Sequence, residues 1–123
     1  MKLLRHILIL LLSIIFIASC KKEEGNGSIL VTVKYNGYSV EQASVYLERG
    51  NDTTSAVPPT RFDKQQGSDA IGQAYFDNLH PDTYTIFAKG YSQQKGGQVK
   101  GKITVIVKER FRQNEYDVTV NTN

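Results

Sequence analysis

One cysteine and two histidines are all the thiol and imidazole chemistry in these 123 residues, and their positions leave little room for catalysis. Hydrolysis or acyl transfer needs a nucleophile, a base and an orienting group, and histidine is the usual base near neutral pH. His6 lies in an apolar N-terminal stretch, and His80 stands in Leu79-His80-Pro81, where it reads as a solvent-facing turn residue. One such histidine assembles neither a triad nor a zinc set, and no run of alternating Asp resembles a calcium loop. No catalytic residue, metal or other cofactor is therefore expected. A lone cysteine forms no disulfide within a monomer. What surrounds Cys20 gives it a different role. Lys2 and Arg5 precede an apolar run from Ile7 to Ala18, broken only by Ser13, and Ser19 and Cys20 follow. That is the order of a secretory signal peptide. The run falls short of the roughly 20 apolar residues that cross a bilayer. Residues 1–19 are expected to form a signal helix that is removed, leaving Cys20 as the first residue.

Ile17-Ala18-Ser19-Cys20 resembles the lipobox of bacterial lipoproteins. The resemblance implies a thioether-linked diacylglycerol on Cys20 and a further acyl chain on its amine. At about 0.8 kcal/mol per buried CH₂, two or three chains make a stable membrane anchor where one is marginal. Lys21-Lys22-Glu23-Glu24 resembles the Lys-plus-acidic signal that sends some Gram-negative lipoproteins to the cell surface, and position 21 is not the Asp of inner-membrane retention. The expected location is the outer membrane, lipid-anchored and facing outward. Residues 20–27 read as the lipidated cysteine and a polar, glycine-containing tether.

The formal charge of +3 falls to +1 once Lys2 and Arg5 are removed. An evenly mixed surface with no basic block excludes nucleic acid as a partner. The 104 residues that remain after the first nineteen suffice for one core without staples.

From Ser28 onward the pattern has period two. Ile29, Val31, Val33 and Tyr35 share one face and Leu30, Thr32 and Lys34 the other, a half-buried strand ending at the turn pair Asn36-Gly37. Further alternating runs place Ala43, Val45 and Leu47, then Ala74 and Phe76, then Tyr84, Ile86 and Ala88 inward. Val99, Ile103, Val105 and Val107 follow, and finally Tyr116, Val118 and Val120, with Lys100, Lys102 and Lys108 turned to water. The predicted fold is all-β, an antiparallel seven-stranded sandwich over residues 28–123. The long stretch 50–71 is expected to hide an edge strand at Thr60-Arg61-Phe62-Asp63-Lys64, and Gly90 to Gln98 to form a mobile loop.

Val45-Tyr46-Leu47, then Ser68-Asp69-Ala70-Ile71-Gly72-Gln73-Ala74-Tyr75-Phe76, then Leu79-His80-Pro81-Asp82-Thr83-Tyr84-Thr85-Ile86 resemble, in order and spacing, the carboxypeptidase regulatory-like domains. These belong with the transthyretin-like (prealbumin-like) and Cna-B-type sandwiches. Ser68 replaces the usual Thr and Asp82 the usual Gly. The resemblance implies a tight turn at Asp69 and Gly72, and a buried Tyr84 whose hydroxyl ties down a corner. The related urate-pathway enzymes use several histidines and a C-terminal Tyr-Arg-Gly-Ser, which are missing here. The position matching the carboxylate of self-formed isopeptide bonds is Ala88, so no such bond is expected.

Binding remains open. Tyr38, Phe62 and Tyr91 fall in or beside turns, where exposed aromatics stack on sugar rings or anchor a partner, and Arg61 adjoins Phe62. Two readings follow. The first is a non-catalytic, membrane-tethered domain serving protein interaction or envelope structure. The second is a surface glycan- or peptide-binding module. They part on whether the three aromatics share an exposed face.

Overall fold

In the computed structural model, residues 25–112 and 114–123 are described. The signal segment, Cys20 and residues 21–24 of the tether lie outside them. β1 (Gly27–Tyr35) is the longest uninterrupted alternation near the N-terminus, and it occupies the middle of the first sheet. Ile29, Val31 and Val33 are fully buried on its inner face. On one side β1 pairs antiparallel with β5 (Gln73–Leu79) and, past the Asn36-Gly37 turn, with the two-residue β2 (Tyr38–Ser39). On the other side β8 (Asn114–Asn121) runs parallel to it over eight residue pairs. The second sheet is antiparallel in the order β4 (Lys64–Gly67), β3 (Ser44–Arg49), β6 (Asp82–Ser92), β7 (Gly97–Val107).

The sandwich expected from alternation is therefore what forms, with eight strands, and among the described residues there is no helix. Its core joins Ile29, Val31 and Val33 to Val45, Leu47, Phe76, Ile86 and Val120 across the two sheets. Each such side chain contributes about 1.5–3 kcal/mol through burial. Tyr84 is buried, and its hydroxyl donates to the His80 carbonyl at 2.7 Å, the corner tie the motif implied.

Several local expectations are corrected. The edge strand of the long connection is Lys64–Gly67, not Thr60–Lys64, because the prolines at 58 and 59 push ladder pairing downstream, where β4 meets Ser44 to Leu47. Gly90 to Gln98 is no long loop. β6 continues through Ser92, β7 begins at Gly97, and Gly96 N–H closes the turn on the Ser92 carbonyl at 2.8 Å. β8 is parallel to β1 because the six-residue connection from β7 carries the chain across to the first sheet, beside β1, rather than back along β7 in a hairpin. Ile103, Val105, Tyr116 and Val118 are only half-buried, since β7 and β8 are the open edges of their sheets there. At one end of those edges Lys100 and Asn123 exchange backbone hydrogen bonds, and at the other the Tyr116 hydroxyl accepts from Lys108 N–H at 2.8 Å. Gly27 is in β1, and any side chain at Gly25 would overlap the Leu79 carbonyl, so the chain already lies on the domain from Gly25.

The stretch 50–63 covers the outer face of the second sheet. Thr85 donates its hydroxyl to Gly50 O at 2.7 Å and accepts from Asp52 N–H at 2.9 Å. Phe62 packs edge-on against Tyr46 with centroids 5.0 Å apart, and Lys102 Nζ stands 6.0 Å from the Phe87 ring centre. Thr85 and Phe87, outward by parity, are as a result fully buried.

Candidate functional site

Where β1 and β6 end and β3 begins, three turns meet, and the Ser68–Gly72 motif bonds the segment leading into β3 to the end of β1. The Ser68 hydroxyl accepts from Ala43 N–H at 2.8 Å and donates to Val40 O at 2.8 Å, while its own N–H reaches Ala43 O at 2.9 Å. Asp69 Oδ1 accepts from Ile71 N–H at 3.0 Å and Gln73 N–H at 2.9 Å, which fixes the tip carrying Ala70. Gly72, at φ +77°, accepts from Val33 N–H at 2.8 Å, and Val33 O in turn accepts from Val40 N–H at 2.9 Å. The segment 39–43 is thus held from both sides by backbone bonds. Ser68→Ala would strand a buried donor and acceptor, so it is expected to cost about 1–3 kcal/mol, read as a lower urea midpoint, with Ser68→Thr close to wild type.

On this frame stands a groove of about 460 Å³, walled by Tyr38 and Tyr91 and lined by Glu41, Gln42, Gln93 and Gln94, with Ala70 and two serines completing it. Both rings are open to solvent, Tyr38 at 56% and Tyr91 at 55%. Of the sequence candidates, these two come together. Phe62 does not join them, being occupied with Tyr46, and Arg61 lies on the covered outer face as a charge that partly offsets the Glu48 carboxylate. Cys20 lies outside the described residues. The groove's amides and Glu41 were missed because isolated polar loop residues carry no periodicity; only the neighbouring turn motif marks their corner.

A second polar cluster joins the 50–63 cover to Glu48 of β3. Asp52 accepts from Thr54 N–H at 3.0 Å and Ser55 N–H at 2.9 Å, and these bonds, those to Ser55 foremost, hold its carboxyl well below the ordinary value. Glu48 is pushed up, first by loss of solvent around its carboxyl and then by Asp52; its Oε2 finds no donor. The two act with opposite sign. Asp52 contributes stability that is present above its ordinary value of 3.8 and lost as pH falls; Glu48 contributes stability at low pH that is lost as pH rises through its raised value. In an NMR titration, Asp52→Asn should move the Glu48 midpoint down but not fully to the ordinary value of 4.5, because burial is the larger cause. Among the described residues no three His, Cys, Asp or Glu side chains converge as a metal would require.

The start of β1 is remote from the groove. Gly25 and Gly27 lie against Leu79 at the start of β1, while Tyr38 follows its other end. Nine strand residues separate them, roughly 30 Å.

No protein-family model and no curated protein matches the chain. Solved structures similar to the chain include two bacterial proteins. One is the major pilin subunit BcpA of Bacillus cereus, with a TM-score of 0.53 and 19% identity over 80% of this chain and 30% of the pilin. The other is a Pseudomonas aeruginosa protein described provisionally as carbohydrate binding, with a TM-score of 0.47 and 16% identity over 85% of this chain and 93% of that one. The chain spans less than a third of the pilin's length. At this identity the likeness to the pilin shows the fold alone. The class established is a β-sandwich.

Proposed function

We propose that the mature chain is a non-catalytic domain, held at the outer membrane by lipid on Cys20, that serves protein interaction or envelope structure through the end of the sandwich farthest from its anchor. The observation that carries this reading is the separation of the two ends along β1. The chain joins the domain at Gly25, five residues after Cys20, a reach of at most about 18 Å. So short a link keeps the Leu79–His80 corner near the bilayer and directs the opposite end outward. His80 is exposed at that lower corner, and its carbonyl is engaged by Tyr84.

A second reading, a module that binds glycan or peptide, is favoured at one place, the groove that Tyr38 and Tyr91 share. The test of the tether is the intact mass of protein taken from native-type membranes, with protease shaving of whole cells. A chain starting at Cys20 with a lipid-sized increment, and loss of the domain on shaving, is expected. An unmodified chain in the soluble fraction would sink the anchor. Reproducible turnover that disappears in His80→Ala would overturn the non-catalytic assignment.

A further inference from the structure

Resting on that second reading, we infer that the Tyr38–Tyr91 groove takes a neutral saccharide. Three features of its chemistry converge on this class. Two exposed aromatic rings offer apolar faces, the surface on which the C–H faces of a pyranose pack, and each ring carries a hydroxyl at its rim. Gln42, Gln93 and Gln94 line the same groove, their amides each carrying two donors and an acceptor carbonyl, and Ser39 brings a hydroxyl. A sugar hydroxyl donates and accepts at once, and this mixed lining answers both.

The charge of the groove narrows the class. Glu41 is its one carboxylate and no Lys or Arg lines it, so a phosphorylated, sulfated or uronic ligand would find repulsion and no counter-charge. Peptide fits less well. Peptide anchors need dry apolar pockets, and the one aliphatic side chain here is Ala70. The volume, about 460 Å³, falls in the range of small-ligand clefts. The segment 39–43 is held by Ser68 and Gly72 before any ligand arrives, which keeps the ordering cost low.

The test uses the full chain purified from membranes in a detergent without a sugar headgroup, because glucosides and maltosides would compete. Calorimetry is run with cellotetraose, maltotetraose, N-acetylchitotetraose and tetragalacturonate. At least one neutral tetrasaccharide is expected to bind and tetragalacturonate is not. Tyr38→Ala and Tyr91→Ala should each weaken binding at least tenfold, and Phe62→Ala should leave it unchanged. Both tyrosines are more than half exposed, so these variants should keep the wild-type thermal midpoint. Silence from all three neutral sugars, equal binding of the acid, or indifference to both tyrosine changes would overturn the inference. The tether is read separately by intact mass, so failure here and failure of the anchor are distinct results.

Discussion

Gly72→Ala is expected to destabilise the domain by about 2–4 kcal/mol, more than any other single-methyl addition in its turns. Gly72 sits at φ +77°, and a Cβ there would lie 2.8 Å from Val33 O and 3.2 Å from Val40 N. Those atoms are backbone, and Val33 O already holds Val40 N–H at 2.9 Å, so neither can yield without breaking the bond that fixes segment 39–43. Gly37 and Gly96 also have positive φ but no atom within 4 Å of the added carbon. Alanine at either should cost only the backbone strain, about 1–2 kcal/mol. Urea unfolding of the three variants side by side checks the difference, and equal losses at all three would show that the close approach is not what matters. Because the same bonds frame the groove, Gly72→Ala should also weaken any ligand held there.

The second large effect is on the face that alternation assigns to solvent. Phe87→Ala is expected to cost about 3–5 kcal/mol, as much as Phe76→Ala in the central core. On a domain of this size that lowers the thermal midpoint by more than about 10 °C. Phe87 is fully buried because residues 50–63 lie over it, with Thr85 bonded to Gly50 and Asp52 beside it. The variant should also open that cover, and limited proteolysis within 50–63 should accelerate. A loss below about 1 kcal/mol, typical of an exposed position, would mean that the cover does not form a second core.

These residues mark what the sequence could and could not disclose. Ile29, Val31, Val33, Val45, Leu47 and Ile86 are buried as their alternation implies, since period two is a direct imprint of a sheet with one dry face. The turn at Asp69 and Gly72 and the Tyr84 tie were legible because each needs a particular residue type. Phe87 was not: its burial comes from a segment with no periodicity, folded over the sheet by backbone and hydroxyl bonds. The parallel docking of β8 was hidden for a similar reason, because Tyr116, Val118 and Val120 alternate alike in either direction. In the groove, Tyr38 and Tyr91 could be picked out as loop aromatics. Nothing local distinguished them from Phe62, whose partner Tyr46 lies in β3, distant in sequence.

If the domain stands on its Gly25 end and presents its Tyr38–Tyr91 end, thiol labelling on intact cells will tell the two ends apart. The only native cysteine is Cys20, which acylation would block, so an introduced cysteine becomes the sole reactive thiol. Gln94→Cys places it at the groove, and Glu115→Cys places it beside Ser28 at the tether end, both at exposed positions. With a bulky, membrane-impermeant maleimide, Gln94→Cys should label rapidly on whole cells, Glu115→Cys much more slowly, and the wild-type chain not at all. Equal rates at the two positions, or no labelling at Gln94→Cys until the cells are broken, would overturn this orientation of the domain.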